Sequence, residues 1–85
     1  MLISKSESTN RFGATVTKAH VKYNGNYYIV SDNGSEVIIF SSDKDGGCKF
    51  VQVGDGMGDS LDKVVNNIRT YIFKDMGYAG SWMSN

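Results

Sequence analysis

The sequence predicts an α+β domain, in which a four-stranded antiparallel β-meander precedes one C-terminal amphipathic helix, in the order β-β-β-β-α. Two Asn-Gly dipeptides lie between runs of β-branched and aromatic residues, and Asn-Gly is typical of tight hairpin turns. One later stretch carries apolar residues at helical spacing. At 85 residues the chain has the length of one domain, so we assign residues 1–85 to a single unit.

The first twelve residues are predicted to form an N-terminal arm. Ser, Asn and Thr cluster between Ser4 and Asn10, and neither a helical nor a strand period is present. We therefore expect residues 1–12 to add at most a short strand at the edge of the sheet.

The antiparallel sheet is predicted over residues 13–53. Apolar and polar residues alternate from Thr15 to Tyr23, which is the period of a strand with two different faces. Asn24-Gly25 follows directly and predicts a two-residue type I′ turn that returns the chain as a second strand.

The next two strands follow from the same signals. Asn33-Gly34 predicts a second two-residue turn, and the run Val37-Ile38-Ile39-Phe40 predicts the third strand. A polar loop from Ser42 to Gly47 then separates this strand from a fourth, Cys48 to Val53.

One amphipathic helix is predicted over residues 59–76. Its apolar residues recur at helical spacing, Asp59 or Ser60 is placed to cap the first turn, and Gly77 is placed to end the helix. The apolar stripe comprises Leu61, Val64, Val65, Ile68 and Ile72. Residues 77–85 form an aromatic tail that contains Trp82.

Two-residue turns would fix the register of the sheet and the side chains on each face. They place Tyr23 opposite Asn26 and Asp32 opposite Ser35. The first face then contains Ala19, Val21, Tyr23, Tyr28, Val30, Val37 and Ile39. The second face contains Lys18, His20, Lys22, Tyr27, Ile29, Ile38 and Phe40.

The helix is predicted to cover the first face because that face lacks charge, and one helix covers only one side of a sheet. The second face would then expose an apolar strip beside a basic edge, and exposed apolar patches often mark interfaces. The strip consists of Tyr27, Ile29, Ile38 and Phe40, and the basic edge of Lys18, His20 and Lys22. Its cover could be the chain's own arm or tail, a second copy, or another protein.

Residue patterns for catalysis and for metal or cofactor binding are weak. Gly54-Asp55-Gly56-Met57-Gly58-Asp59 has a glycine spacing that differs from the dinucleotide fingerprint, and its carboxylates would repel phosphate. A calcium loop that began at Asp43 would need Glu at its twelfth position, which is Gly54. One histidine and one cysteine do not supply a zinc site. We expect His20 on the second face and Cys48 buried on the first. We expect no enzyme activity, no metal, no cofactor and no small-molecule substrate.

Composition narrows the class of partner. Nine basic and nine acidic side chains give a formal net charge of zero, so long-range attraction to nucleic acid is absent. Cys48 is the only cysteine, which excludes an intrachain disulfide and favours a reducing, cytoplasmic compartment. No apolar run approaches the length of a membrane helix.

These observations predict a small non-catalytic binding protein that contacts another protein and also forms a homodimer. The contacting residues would be the apolar strip and Trp82. The alternative is a small RNA-binding module, alone or in a protein–RNA assembly, that uses Lys18, His20, Lys22 and Tyr27 to contact phosphate and stack bases. In size, neutral charge and element order the chain resembles inhibitors encoded by phages and mobile elements, which implies inhibition of a host defence enzyme or toxin.

Overall fold

A computed structural model describes residues 1–73, apart from the side chain of Phe50. It confirms the α+β class: one antiparallel sheet and two short helices. The elements are β1 (Leu2–Thr9), β2 (Thr15–Tyr23), β3 (Asn26–Asp32), β4 (Val37–Ser42), β5 (Cys48–Asp55), α1 (Leu61–Asn66) and α2 (Ile68–Tyr71). Over the described range the sheet thus has five strands, in the order β1-β2-β3-β4-β5.

The prediction of four strands is wrong because the N-terminal arm is itself a full strand. β1 has eight residues and pairs with β2 from Leu2 to Thr9. All of its side chains are exposed on both faces, so the segment has none of the apolar alternation that marks a half-buried strand. Its strand conformation depends on backbone pairing with β2.

The turn at Asn24-Gly25 forms as predicted. Both residues have positive φ, 52° and 81°, and Tyr23 lies opposite Asn26. This register places Val21 opposite Tyr28 and Ala19 opposite Val30, as the sequence predicts.

The second turn is longer than predicted. Asp32 pairs with Val37 instead of Ser35, which leaves a four-residue loop from Asn33 to Glu36. The Asn33 side-chain oxygen accepts hydrogen bonds from the backbone N–H groups of Ser35 and Glu36, and such local bonding stabilises a wider turn. The shift is two residues, so every side chain of β4 stays on its predicted face.

The helices cover the first face, as predicted. Ala19, Val21, Val30, Ile39 and Val64 are fully buried in one apolar cluster that joins the sheet to α1. The rest of the buried cluster is Tyr28, Val37, Val53, Leu61, Ile68 and Tyr71.

The predicted helix over residues 59–76 is wrong in its continuity and its length. Ser60 caps α1, since its hydroxyl accepts a hydrogen bond from the Lys63 N–H. At Asn67 the backbone leaves the helical region, and the Asn67 side chain donates to the Lys63 carbonyl, a bond that competes with helix continuation. α2 then ends at Tyr71, because Ile72 is extended. Residues 74–77, including the predicted stop at Gly77, lie outside the described residues.

The chain after α2 runs along the outer edge of β5. Gly54 forms an isolated antiparallel bridge with Ile72, and Phe73 donates its N–H to the Val53 carbonyl at 2.7 Å. A Cβ atom at Gly54 would lie 2.5 Å from the Tyr71 carbonyl oxygen and 2.9 Å from the Ile72 Cα. This close backbone contact therefore requires glycine.

We predict that Gly54→Ala destabilises the fold by about 1 to 3 kcal/mol, because the methyl group overlaps backbone atoms that cannot move independently. Urea denaturation followed by circular dichroism measures the change. Ser8→Ala on the exposed β1 is the control and should change stability by less than about 0.5 kcal/mol. Equal stability of Gly54→Ala and the parent chain would contradict the close packing of α2 against β5.

Candidate functional site

The second face of the sheet is organised in three rows that cross four strands. Side chains directly opposite each other on antiparallel strands lie on the same face, so the pairing defines each row. The rows are Lys18–Ser31–Ile38–Asp55, His20–Ile29–Phe40–Gln52 and Lys22–Tyr27–Ser42–Cys48. The structure thus brings all predicted residues of the apolar strip and basic edge together. Trp82, the other predicted contact residue, lies outside the described residues.

The strip is less exposed than the sequence predicts. Ile29 is only 6% exposed and His20 only 8%, so neither offers an accessible contact surface. Tyr27, Ile38 and Phe40 are half-buried. His20 and Ile29 in the central row are thus closed to a partner, whereas Lys18 and Lys22 on either side of His20 are exposed.

A loop over residues 43–47 explains why His20 is buried. The His20 Nε2 atom lies 3.2 Å from the Asp43 carbonyl oxygen. A Cβ atom at Gly46 would lie 3.6 Å from the His20 Nδ1, so the loop backbone passes against the imidazole ring. The polar loop that follows β4 therefore closes one end of the second face.

The Asp43 side chain holds this loop in shape. Its Oδ1 atom accepts hydrogen bonds from the Gly47 N–H at 2.7 Å and the Asp45 N–H at 2.9 Å. The bond from Gly47 is the main reason that the pKa of the Asp43 carboxyl lies below its ordinary value, and Lys49 adds a favourable charge. A loop predicted only by composition thus has a defined conformation that depends on one carboxylate.

The Tyr27 ring on β3 lies close to two side chains of β2, Lys22 and His20. The Lys22 Nζ lies 5.6 Å from the centre of the Tyr27 ring, and the His20 ring centre lies 5.7 Å from it. Lys18 and Lys22 are both exposed. This part of the second face therefore combines an aromatic ring with positive charge, as in the predicted basic edge.

Cys48 does not lie on the predicted face. Register shifts between β4 and β5 place it opposite Ser42, which puts it half-buried on the second face instead of buried on the first. In the strand order, β3 and β4 lie between the strand that carries Cys48 and the strand that carries His20. Among the described residues the His20 ring contacts the Asp43 carbonyl oxygen and the Tyr27 ring, and it makes no hydrogen bond to the Cys48 thiol, as a nucleophile and base pair would require.

The carboxylates before α1 take part in local structure. Asp55 accepts the Met57 N–H at 2.7 Å, and Asp59 accepts the Tyr71 hydroxyl, which raises the pKa of that phenol. An acidic groove of about 290 Å³, lined in part by Asp32, Glu36 and Asp59, lies beside this turn. Within residues 1–73 no group of three or more His, Cys, Asp or Glu side chains is placed to hold a metal ion.

Exposed apolar residues on or beside the edge strand β1 were not predicted from the sequence. Met1 and Phe12 are each 85% exposed, and Leu2 and Ile3 are about half exposed. Asn10 shapes the β1–β2 loop, since its Oδ1 accepts hydrogen bonds from the Phe12 and Ala14 N–H groups. The apolar run at residues 1–3 was the available signal.

Comparisons with protein-family models, with curated proteins and with solved structures gave no match for this chain. None of the helices in the described part of the chain combines the length and hydrophobicity required to span a membrane.

We predict that Asp43→Asn removes an acid-sensitive contribution to stability. Because the pKa of Asp43 is lowered by folding, its contribution is complete above the ordinary carboxyl pKa of about 3.9 and declines as pH falls through the native pKa. Asn keeps the acceptor oxygen but has no charge to lose. Thermal unfolding should show the parent chain more stable than the variant at pH 7, with the difference shrinking towards pH 2. A constant difference would show that the charge of Asp43 has no role.

Proposed function

We propose that this chain is a non-catalytic binding protein that acts by contact with another protein. The proposed contact surface consists of the accessible side chains of the second face. The observation that supports it is the grouping of Tyr27, Ile38 and Phe40, all half-buried, beside the exposed Lys18 and Lys22. The helices of the described residues pack on the opposite face. The surface therefore combines partly accessible apolar area with positive charge.

The energetics of this surface indicate the chemistry of the partner. Complete burial of an aliphatic or aromatic side chain contributes about 1.5 to 3 kcal/mol, and half-buried side chains have only part of this left to gain. Three such residues alone do not offset the cost of association. A partner that also presents acidic groups to Lys18 and Lys22 would gain specificity and a faster association rate. We therefore propose a protein partner with an apolar patch and an acidic rim.

Two of the four residues predicted to contact RNA in the alternative function are exposed. Lys18 and Lys22 are exposed and able to reach phosphates. His20 is buried against the Asp43 carbonyl, and Lys22 lies beside the ring of Tyr27 on which a base would stack. These contacts favour a protein partner over RNA.

The proposed setting is the cytoplasm, where a free thiol such as Cys48 persists. In size and neutral charge the chain resembles small inhibitors encoded by phages and mobile elements. This resemblance supports inhibition of a host defence enzyme or toxin as the proposed activity. Such inhibition requires only occupancy of the target's surface.

The test uses charge reversal on the second face. We expect Lys18→Glu with Lys22→Glu to weaken capture of the partner by about tenfold or more, because an attractive acidic rim becomes repulsive. Affinity capture from the host lysate followed by titration of the captured protein measures this, with absorbance at 260 and 280 nm to detect nucleic acid.

The matched control is Lys63→Glu with Arg69→Glu, which makes the same change in net charge on the helices. This control should capture the partner as the parent chain does. Equal binding by both double variants would contradict the proposal, and co-purified RNA that only the second-face variant loses would favour the alternative.

A further inference from the structure

The outer edge of β1 is an open strand edge in the described part of the chain, because β1 is the terminal strand and pairs only with β2. The Asn10 N–H donates to the Ala14 carbonyl, which identifies these two residues as a hydrogen-bonded position. Hydrogen-bonded and non-bonded positions alternate along an antiparallel pair. Lys5, Glu7 and Thr9 therefore direct their backbone N–H and C=O groups away from β2, towards the open edge.

We infer that this edge binds a second copy of the chain. In the proposed dimer the two β1 strands pair antiparallel about a twofold axis that passes between the two Ser6 residues. Lys5 then lies opposite Glu7 of the second copy, and Glu7 opposite its Lys5. Each of these pairs exchanges two backbone hydrogen bonds, because both residues have their free groups on the outer edge.

The charges of Lys5 and Glu7 favour this register over the two registers whose axis lies one residue away. A twofold centred on Lys5 or on Glu7 would place like charges directly opposite each other, which is destabilising. A twofold centred on Ser6 makes two opposite-charge pairs instead. Lys5 already lies 3.3 Å from Asp62, whereas Glu7 has no ion-pair partner among the described residues. The pairing would give Glu7 its missing counter-charge.

The remaining side chains of β1 fit the same arrangement. Ser4, Ser6 and Ser8 share one face, and small residues suit the non-bonded positions, where the two backbones lie closest. Four of the five large apolar side chains that are exposed within residues 1–73 lie on β1 or next to it: Met1, Leu2, Ile3 and Phe12. Antiparallel pairing brings the loop that carries Phe12 beside the first residues of the second copy. Burial of this apolar surface would stabilise the dimer.

Edge strands are often protected by charges and bulges against pairing, and β1 contains both, with an irregularity between Leu2 and Ser4. That irregularity lies at one end of the strand and leaves Lys5 to Thr9 regular. A purely protective edge would not require complementary charges on both sides of a central small residue. A cross-link that forms only in one register distinguishes a protected edge from a pairing edge.

The first test is a cross-link that depends on register. In a Cys48→Ser background, Ser6→Cys should form a disulfide-linked dimer on mild oxidation, because non-bonded positions have Cα atoms about 4.5 Å apart, within disulfide range. Ser8→Cys is the matched control on the same strand and face. Its partner position is Ser4 of the second copy, so the two thiols introduced by Ser8→Cys would lie too far apart to join.

Non-reducing electrophoresis and light scattering of the full chain measure the outcome. A cross-linked dimer from Ser6→Cys alone supports the proposal. It is overturned if Ser6→Cys stays monomeric with an unchanged circular dichroism spectrum, or if the two cysteine variants cross-link to the same extent.

The second test reverses the charges. Glu7→Lys should raise the dimer dissociation constant by at least about tenfold, since both cross-strand pairs become repulsive. Lys5→Glu combined with Glu7→Lys should restore dimerisation, because the pairs become attractive again in the opposite sense. Glu36→Lys in the exposed β3–β4 turn is the control with the same change in net charge. Sedimentation equilibrium measures all four chains, and an equal dissociation constant for Glu7→Lys and Glu36→Lys would refute the register.

Discussion

The pairing of β2 with β3 at the Asn24-Gly25 turn is the constraint on which the rest of the molecule depends. Both turn residues have positive φ, which closes the hairpin in two residues and fixes which side chains share a face. One face then receives Ala19, Val21 and Val30, which are fully buried beneath the helices. The other face receives the residues of the proposed protein contact. A shift by one residue would exchange the two sets, because side chains alternate with a period of two.

The same periodicity explains how far the sequence could predict the structure. The turn after β3 is four residues long instead of two, yet this error of two residues in register left every face assignment of β4 correct. The register shifts between β4 and β5 add up to an odd number of residues, so Cys48 lies on the face opposite to the predicted one. No local sequence signal marks these bulges, because they arise from how the strand end fits its neighbour.

Two other failures have a different physical origin. β1 is exposed on both faces and therefore lacks the apolar alternation from which strands are predicted. The helix was predicted as continuous because Leu61, Val64 and Ile68 do keep helical spacing, but side-chain bonding at Asn67 interrupts it. For the candidate site, the sequence placed the apolar strip and the basic edge on one face, as the strand pairing has them. It could not show that Asp43 folds a loop over His20, since that contact joins residues far apart in the chain.

The two proposed contacts use different chemistry and would act together. The second face offers side chains and charge, whereas the β1 edge offers backbone hydrogen bonds. A twofold axis perpendicular to the sheet would join two five-stranded sheets with both second faces on the same side. Lys18 and Lys22 of each copy would then lie on either side of the serine side chains of the two β1 strands, Ser4, Ser6 and Ser8. Together they would form one wide basic surface. A target with two equivalent acidic patches would bind such a dimer more tightly than a monomer, because the second contact becomes intramolecular. Dimerisation at β1 would thus strengthen the proposed inhibition without any residue of the dimer edge contacting the target.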